Sequence, residues 1–396
     1  MFENFKPVKA DPILGLSKLC NEDPREGALD LGVGVFKDKT GHTPIMRAVK
    51  SAEAKLHIEQ TTKVYTSLAG SELFRNKMLD LILGASVGRE RIATLQTPGG
   101  TGAVRQIFES IKIISPDSTV WISDPSWPSH SSMAKHMGFK IKLYPYLDGR
   151  TQMVDIDAML ESFKELKAGD VLLLHGCCHN PTGANIDLET WKILVDVVND
   201  TGAVPLVDLA YQGFGDGLDE DAEPLRFLAS QVPEMYVAAS CSKNFGLYRD
   251  RVGVAILISE NEKTAALSQD NMNILNRLNY SFAPDHGAAI VAMILDCPDL
   301  RVQWSKELSE MRNAMLSIRN NLSNSLRQQC NSDRFEFISI HRGMFSRLGL
   351  SNEEVVALRE RYGIYIVGDS RINIAGLAGD KHKKFSEAVA QVIAKP

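Results

Sequence analysis

The chain has 396 residues, 44% apolar and 23% charged, an ordinary globular composition with length for two or three packed cores. A formal net charge of −5 supplies no pull toward nucleic acid or anionic lipid, so neither is expected as a partner. No stretch approaches the ~18 apolar residues of a membrane span, no basic region followed by an apolar core marks a signal peptide, and six cysteines in so long a chain make no disulfide framework; a cytoplasmic protein with reduced thiols is expected.

In chain order, the first forty-odd residues read as irregular. From Ile92 to about Ile258, short β-rich apolar runs alternate with amphipathic helices. The runs are "IATLQT", "TVWIS", "FKIKLY", "DVLLLH", "VPLVD", "MYVAAS" and "VGVAILI". Several are apolar on both faces, as strands of a helix-covered parallel sheet must be. Among the helices, "IDAMLESFKELKAG" puts Ile156, Met159, Leu160 and Phe163 on one face, with Asp155 as N-cap. This is a doubly wound α/β core. From Trp304 on, apolar residues recur every three or four positions through Leu308, Met311, Met315, Ile318, Leu322 and Leu326. The spacing predicts one helix of roughly 35–40 Å at ~1.5 Å per residue, leaving one domain and entering another. The remainder, "FEFISIHRGMFSRLGL", a helix, "GIYIVGDSRINIAG" and a last helix, reads as a small α+β domain that the first forty residues could complete.

Ligands of open α/β sheets bind beyond the carboxyl ends of the strands. There the sequence carries "PGGTGAVRQIF", "DPSWPSH", "GCCHNPTG", "LAYQGF" and "SCSKNFG". "GGTGA" opens a helix, where backbone N–H groups and the helix dipole suit a phosphate; a plain tight turn is the other reading. It lacks the lysine of a P-loop and the GxGxxG spacing, which weakens nucleotide binding. The histidines and cysteines of "HGCCHNPTG" lack zinc spacing, and adjacent Cys177 and Cys178 point opposite ways on a strand; buried thiols are preferred and no metal is expected. Asp208 ends an apolar strand, and Lys243 follows another. Each alone fits a structural ion pair. With the phosphate turn, they call for one ligand bearing a phosphate, a protonatable ring nitrogen and an aldehyde, which pyridoxal phosphate combines.

Taken together and in order, "DPILGL", "LGVGVFKD", "TTKVYTSLAG", "TPGGTGA", "DPSWPSH", "HGCCHNPTG", "DLAYQGF", "SCSKNFGLYRDRVG" and "DSRINIAG" closely resemble the class I aspartate/aromatic aminotransferases, fold-type I enzymes dependent on pyridoxal 5′-phosphate. The resemblance runs over nearly the whole chain and is nearest to the bacterial aromatic-amino-acid aminotransferases. It implies a large domain at 44–306 with a doubly wound, mostly parallel seven-stranded sheet, a smaller α+β domain from 12–43 and 307–396, and an N-terminal arm at 1–11.

The resemblance also implies roles. Lys243 matches the lysine that binds the cofactor aldehyde and then moves the substrate proton. Asp208 matches the acid on the pyridine nitrogen. Tyr211 and Asn180 match the pair on the ring's 3-oxygen, and Trp127 the aromatic stacked on the ring. The phosphate falls to Gly99, Gly100, Thr101, Ser240 and Arg251, with Tyr65 reaching it from the other subunit of a homodimer. Arg371 matches the clamp for the substrate α-carboxylate, and Gly34 a backbone contact beside it. Arg277 matches the neighbouring subunit's arginine for a side-chain carboxylate; Asn180, Trp127 and Tyr65 also border the substrate. Asp124–Pro125 and Asn180–Pro181 are expected to be cis.

The implied reaction is ping-pong transfer, through pyridoxamine phosphate, from tyrosine, phenylalanine or tryptophan, and also aspartate, to 2-oxoglutarate. Phe282 stands where the family often has a polar residue, and Ser129 where the aspartate enzymes often carry asparagine. Both favour aromatic side chains; the alternative is an aspartate aminotransferase with little aromatic activity. A β-decarboxylase is disfavoured by the pairing of Arg277 with Arg371. A DNA-binding regulator is disfavoured because no helix-turn-helix pattern precedes the core.

Overall fold

The computed structural model describes residues 1–7 and 12–394. Its strands are β1 Leu29–Asp30, β2 Ile92–Pro98, β3 Thr119–Asp124, β4 Lys140–Pro145, β5 Val171–His175, β6 Val204–Leu209, β7 Met235–Ser240, β8 Val252–Ile258, β9 Phe345–Arg347, β10 Ile364–Tyr365 and β11 Arg371–Asn373. Seven of them form one sheet in the order β2-β8-β7-β6-β5-β3-β4. β8 runs antiparallel to both neighbours, and the other pairings are parallel. The apolar runs belong here because both faces are covered. Along β5, Leu172 and Leu174 enter one core while Val171 and Leu173 enter another, the period of two of an extended strand.

Two expectations about helices need correction. The long helix spans Pro298–Cys330, beginning six residues before Trp304. Pro298 lies in its first turn, where proline's missing N–H costs nothing, and Asn331 ends it in the left-handed region at φ 47°. Its 33 residues reach roughly 50 Å rather than 35–40 Å. Trp304, Leu308, Met311 and Met315 pack in the core beside the sheet; Ile318, Leu322 and Leu326 pack in a separate core. The other correction is the N-terminal region, which contains a helix, Pro12–Asn21. Leu14 and Leu19 lie exposed on it, so its apolar pattern was faint.

The helix Ile156–Phe163 has the expected cap, Asp155 Oδ1 accepting from Ala158 N at 3.1 Å, but stops before the Lys-rich turn. The second core joins distant parts of the chain: Leu29 and Leu31 meet Ile364, Ile372 and Phe385, and β1 pairs in parallel with β10. Of the arm expected at 1–11, Phe2–Asn4 forms one 3₁₀ turn, and residues 8–11 lie outside the described residues. Asp124–Pro125 and Asn180–Pro181 are both cis. Among the described residues, no helix is long and apolar enough to cross a membrane.

Candidate active site

The carboxyl ends of β2, β5, β6 and β7 open into a cavity of about 270 Å³. Gly34, Gly100, Thr101, Trp127, Asn180, Asp208, Tyr211, Ser240, Lys243, Arg251 and Arg371 line it. Its anion-binding side is built by close approach. Gly99 starts the helix Gly99–Ile114 at φ 71°, and no side chain caps that helix. A Cβ on Gly99 would stand 2.6 Å from Arg251 Nη2, and one on Gly100 2.9 Å from Ser240 Cβ, so only glycine fits beside the guanidinium. Arg251 Nη1 donates to Tyr248 O at 3.1 Å and Ser242 Oγ at 3.3 Å, which fixes the charge beside the helix start. The arrangement suits a dianionic phosphate.

Asp208 also lines the cavity, with Oδ2 2.8 Å from Nε2 of the fully buried His130. Burial pushes the Asp208 carboxyl up, but the His130 hydrogen bond, together with the positive charge around it from Lys243, outweighs it and holds the group below its ordinary value. A carboxylate kept ionised there can hold a proton on a ligand nitrogen. Ser126 Oγ bridges His130 Nδ1 and His175 Nε2, each at 3.1 Å. His175 is pushed down to about 3 by burial first and by His130 second, so it stays neutral.

Lys243 follows β7, half-buried, with its Nζ 4.8 Å from the Tyr211 ring centroid. Burial lowers its pKa to about 8, with Asp208 opposing and Arg251 assisting. The amine thus carries a useful neutral fraction near physiological pH, which both attack on an aldehyde and proton abstraction require. The unfolded chain takes this proton near 10.5 and the folded apoprotein only near 8. Apoprotein stability therefore falls as pH drops from about 10.5 to about 8, and the penalty is complete below that. Cofactor-free Lys243→Met is expected to exceed the native apoprotein in stability by about 3 kcal/mol at pH 7. Denaturant midpoints should show the gap closing toward pH 10.5; a gap independent of pH would contradict the burial argument.

Also lining the cavity, Arg371 is 5% exposed and donates through Nη2 to Gly32 O at 2.7 Å. Its guanidinium carbon lies 4.3 Å from the Phe345 ring centroid. Arg371 Nε and Asn180 Oδ1 are buried without hydrogen-bond partners, donor and acceptor capacity left over beside the cavity. A Cβ on Gly34 would stand 2.5 Å from Phe345 Cζ, so the Gly34 backbone presses on the same ring.

Tyr65 and Arg277 are not brought to this cavity within one chain. Tyr65 is 79% exposed and stacks on Phe282 at 4.7 Å and 15°, while Arg277 is exposed on the helix Glu262–Asn279. Ser129 is half-buried and does not line the cavity.

A match to the family model for aminotransferase class I and II covers residues 26–389. The chain belongs to that family. Among this aminotransferase's relatives is the aromatic-amino-acid aminotransferase of Paracoccus denitrificans, 50% identical over 99% of this chain and all of that protein. The aspartate aminotransferase of Escherichia coli K12 is 42% identical over 99% of this chain and all of that protein. A solved structure of the aromatic-amino-acid aminotransferase from Burkholderia pseudomallei, covalently bound to pyridoxal phosphate, has a TM-score of 0.96 and 37% identity over 99% of each chain.

The residues of this aminotransferase fit pyridoxal phosphate. The glycine cradle with Arg251 suits its phosphate, ionised Asp208 its ring nitrogen, Lys243 its aldehyde, and the unpartnered Asn180 side chain its ring substituents. Sequence reasoning missed His130, His175, Tyr248 and Phe345. His130 sits in the quoted "DPSWPSH", three residues after Trp127, a spacing that puts both on one side of a helix start. Nothing local marked Phe345.

Cys177 and Cys178 do not point opposite ways as expected, because the strand ends at His175 and Cys178 turns at φ 50°; their sulfurs and Asp221 lie within 4.8 Å of one another. Asp221 instead accepts N–H bonds from Gly213, Gly215 and Asp216 at 2.8–2.9 Å, and both thiols are pushed up, Cys177 by its hydrogen bond to Cys178 and by burial, Cys178 by burial. The carboxylate is a backbone clamp and the thiols stay protonated.

Proposed function

We propose that this aminotransferase moves the amino group of tyrosine, phenylalanine, tryptophan and aspartate to 2-oxoglutarate, as a cytoplasmic homodimer with shared active sites. The observation that carries the reading is a half-buried, partly neutral lysine sharing one cavity with an ionised aspartate, a phosphate cradle and the buried Arg371. The domain division is proposed with it: a large domain at 44–306 and a small one from 12–43 and 307–396.

Pyridoxal phosphate is the cofactor; when bound it supplies the ring that draws off the electron pair left at the substrate Cα. The chain's residues do the rest. The Gly99–Thr101 turn, Ser240 and Arg251 bind the phosphate, with Tyr65 of the partner subunit. Asp208, steadied by His130, keeps the ring nitrogen protonated. Trp127 covers the ring, and Asn180 and Tyr211 hydrogen-bond its oxygen. Arg371 grips the α-carboxylate in a two-pronged fork beside Gly34. Lys243 would hold the cofactor's aldehyde carbon, and as a free amine its Nζ would take the substrate Cα proton. The partner subunit's Arg277 takes the side-chain carboxylate of aspartate or 2-oxoglutarate.

Aromatic donors are supported by the Tyr65–Phe282 stack, which puts an apolar surface in the loop just after the helix that carries Arg277. The unpaired cysteines fit a reducing compartment. Holoenzyme given phenylalanine and 2-oxoglutarate should form glutamate with ping-pong kinetics, and sediment as a dimer; a monomer, or no glutamate, would contradict the reading. Phe282→Asn is expected to lower the phenylalanine/aspartate ratio of kcat/KM by about tenfold, the scale of a lost apolar contact. An unchanged ratio would remove Phe282 from the account.

A further inference from the structure

Arg319 lies in the long helix Pro298–Cys330, is fully buried, and forms no ion pair among the described residues. An unpaired buried cation is costly unless its donors are met. Here the Nη1 and Nη2 donors are met by one short segment, and among the described residues Nε alone is left without a partner. Nη1 donates to Ile338 O at 3.0 Å and Ser346 Oγ at 2.8 Å. Nη2 donates to Arg342 O at 3.2 Å, Gly343 O at 2.8 Å and Phe345 O at 2.7 Å. The carbonyls of that segment therefore turn inward onto a single guanidinium, a shape no apolar residue at 319 could hold.

The segment so held ends at the cavity. Phe345 presents its ring under Arg371, and a Cβ on Gly34 would strike it. β9, which carries Phe345 and Ser346, pairs antiparallel with β11, and Ser346 lies opposite Ile372, next to Arg371. Arg342 N also donates to Gly183 O at 2.9 Å, tying the segment to the loop that carries Asn180.

We infer that Arg319 is a positioning residue for carboxylate binding: its guanidinium holds the 338–346 backbone so that Phe345 forms the shelf on which Arg371 lies. This rests on the reading that Arg371 grips the substrate carboxylate. A fold-stabilising role alone would lower the melting temperature and leave ligand affinity in the folded holoenzyme intact. A positioning role shifts the affinity for carboxylates and spares that for the cofactor.

The test uses folded holoenzyme and 3-phenylpropionate, a carboxylate with no amino group to react, titrated through the cofactor's absorbance. Cofactor affinity is measured separately by titrating apoprotein with pyridoxal phosphate. Arg319→Lys keeps a charge but loses the fork, and is expected to weaken 3-phenylpropionate at least tenfold with pyridoxal phosphate affinity within threefold. Ser346→Ala, which removes one acceptor and leaves the helix untouched, keeps the test open should Arg319→Lys not fold, and is expected to weaken 3-phenylpropionate about threefold. Phe345→Leu should weaken it as Arg319→Lys does, and the double variant should be no worse than either. Carboxylate affinity within twofold of native in folded Arg319→Lys or Ser346→Ala, or fully multiplicative losses in the double variant, would overturn the inference. Arg371→Lys is the control on the underlying reading: if it too leaves 3-phenylpropionate binding unchanged, the role of Arg371 fails first.

Discussion

Replacing Lys243 by alanine is expected to lower kcat by ~10⁴-fold or more while leaving a folded protein that still binds pyridoxal phosphate. General acid–base catalysis by a placed side chain contributes ~10²–10⁴-fold. Lys243 serves additionally as the amine that binds the aldehyde, so its loss removes two functions together. No described neighbour can stand in. Arg251 is committed to Tyr248 and Ser242, and Tyr211 is held well above its ordinary pKa by burial. Binding survives because the phosphate cradle, Asp208 and Trp127 do not depend on the amine. Rapid mixing of cofactor-loaded Lys243→Ala with phenylalanine checks this: loss of the visible absorbance at near the native rate would show that another group moves the proton.

The second large effect is at Asp208. Asp208→Asn is expected to lower kcat by ~10²–10⁴-fold, the rate equivalent of the ~3–5 kcal/mol typical of breaking a buried charged pair. An amide cannot hold a cationic ring nitrogen as a carboxylate does, and it leaves His130 Nε2 without the anion 2.8 Å away. Weaker cofactor binding should accompany the loss, because the charge on the ring is no longer balanced. The check is kcat together with pyridoxal phosphate affinity; a variant within threefold of native in kcat would mean that the ring nitrogen does not need Asp208.

The sheet was legible in the sequence because its strands are covered on both sides. Runs such as "VGVAILI" must be apolar throughout, and all seven residues of β8 are buried. The polar residues at the strand ends were equally legible, because a core has no use for an aspartate or a lysine there. What the sequence concealed has physical causes. The helix Pro12–Asn21 hides most of its apolar side chains in no core, so it leaves little periodicity to read. The long helix begins at Pro298, ahead of the first regularly spaced large residue. Asp208 was legible as a buried acid, but its protein partner was not, since His130 lies 78 residues away in sequence. Phe345 and Arg319 act through contacts that only the fold brings together. Tyr65 and Arg277 were named from the resemblance alone, and in one chain they stand exposed, away from the cavity.

The most direct test of the central claim is a single-turnover comparison of donors without acceptor. Holoenzyme is mixed with L-phenylalanine or L-aspartate, and the decay of the cofactor's visible absorbance gives an apparent second-order rate for each. Comparable rates, or phenylalanine faster, are the predicted result for a site that accepts both an aromatic ring and a carboxylate. Aspartate faster by ~10³-fold, about 4 kcal/mol of transition-state discrimination, would contradict it and make the protein a dicarboxylate-specific aminotransferase.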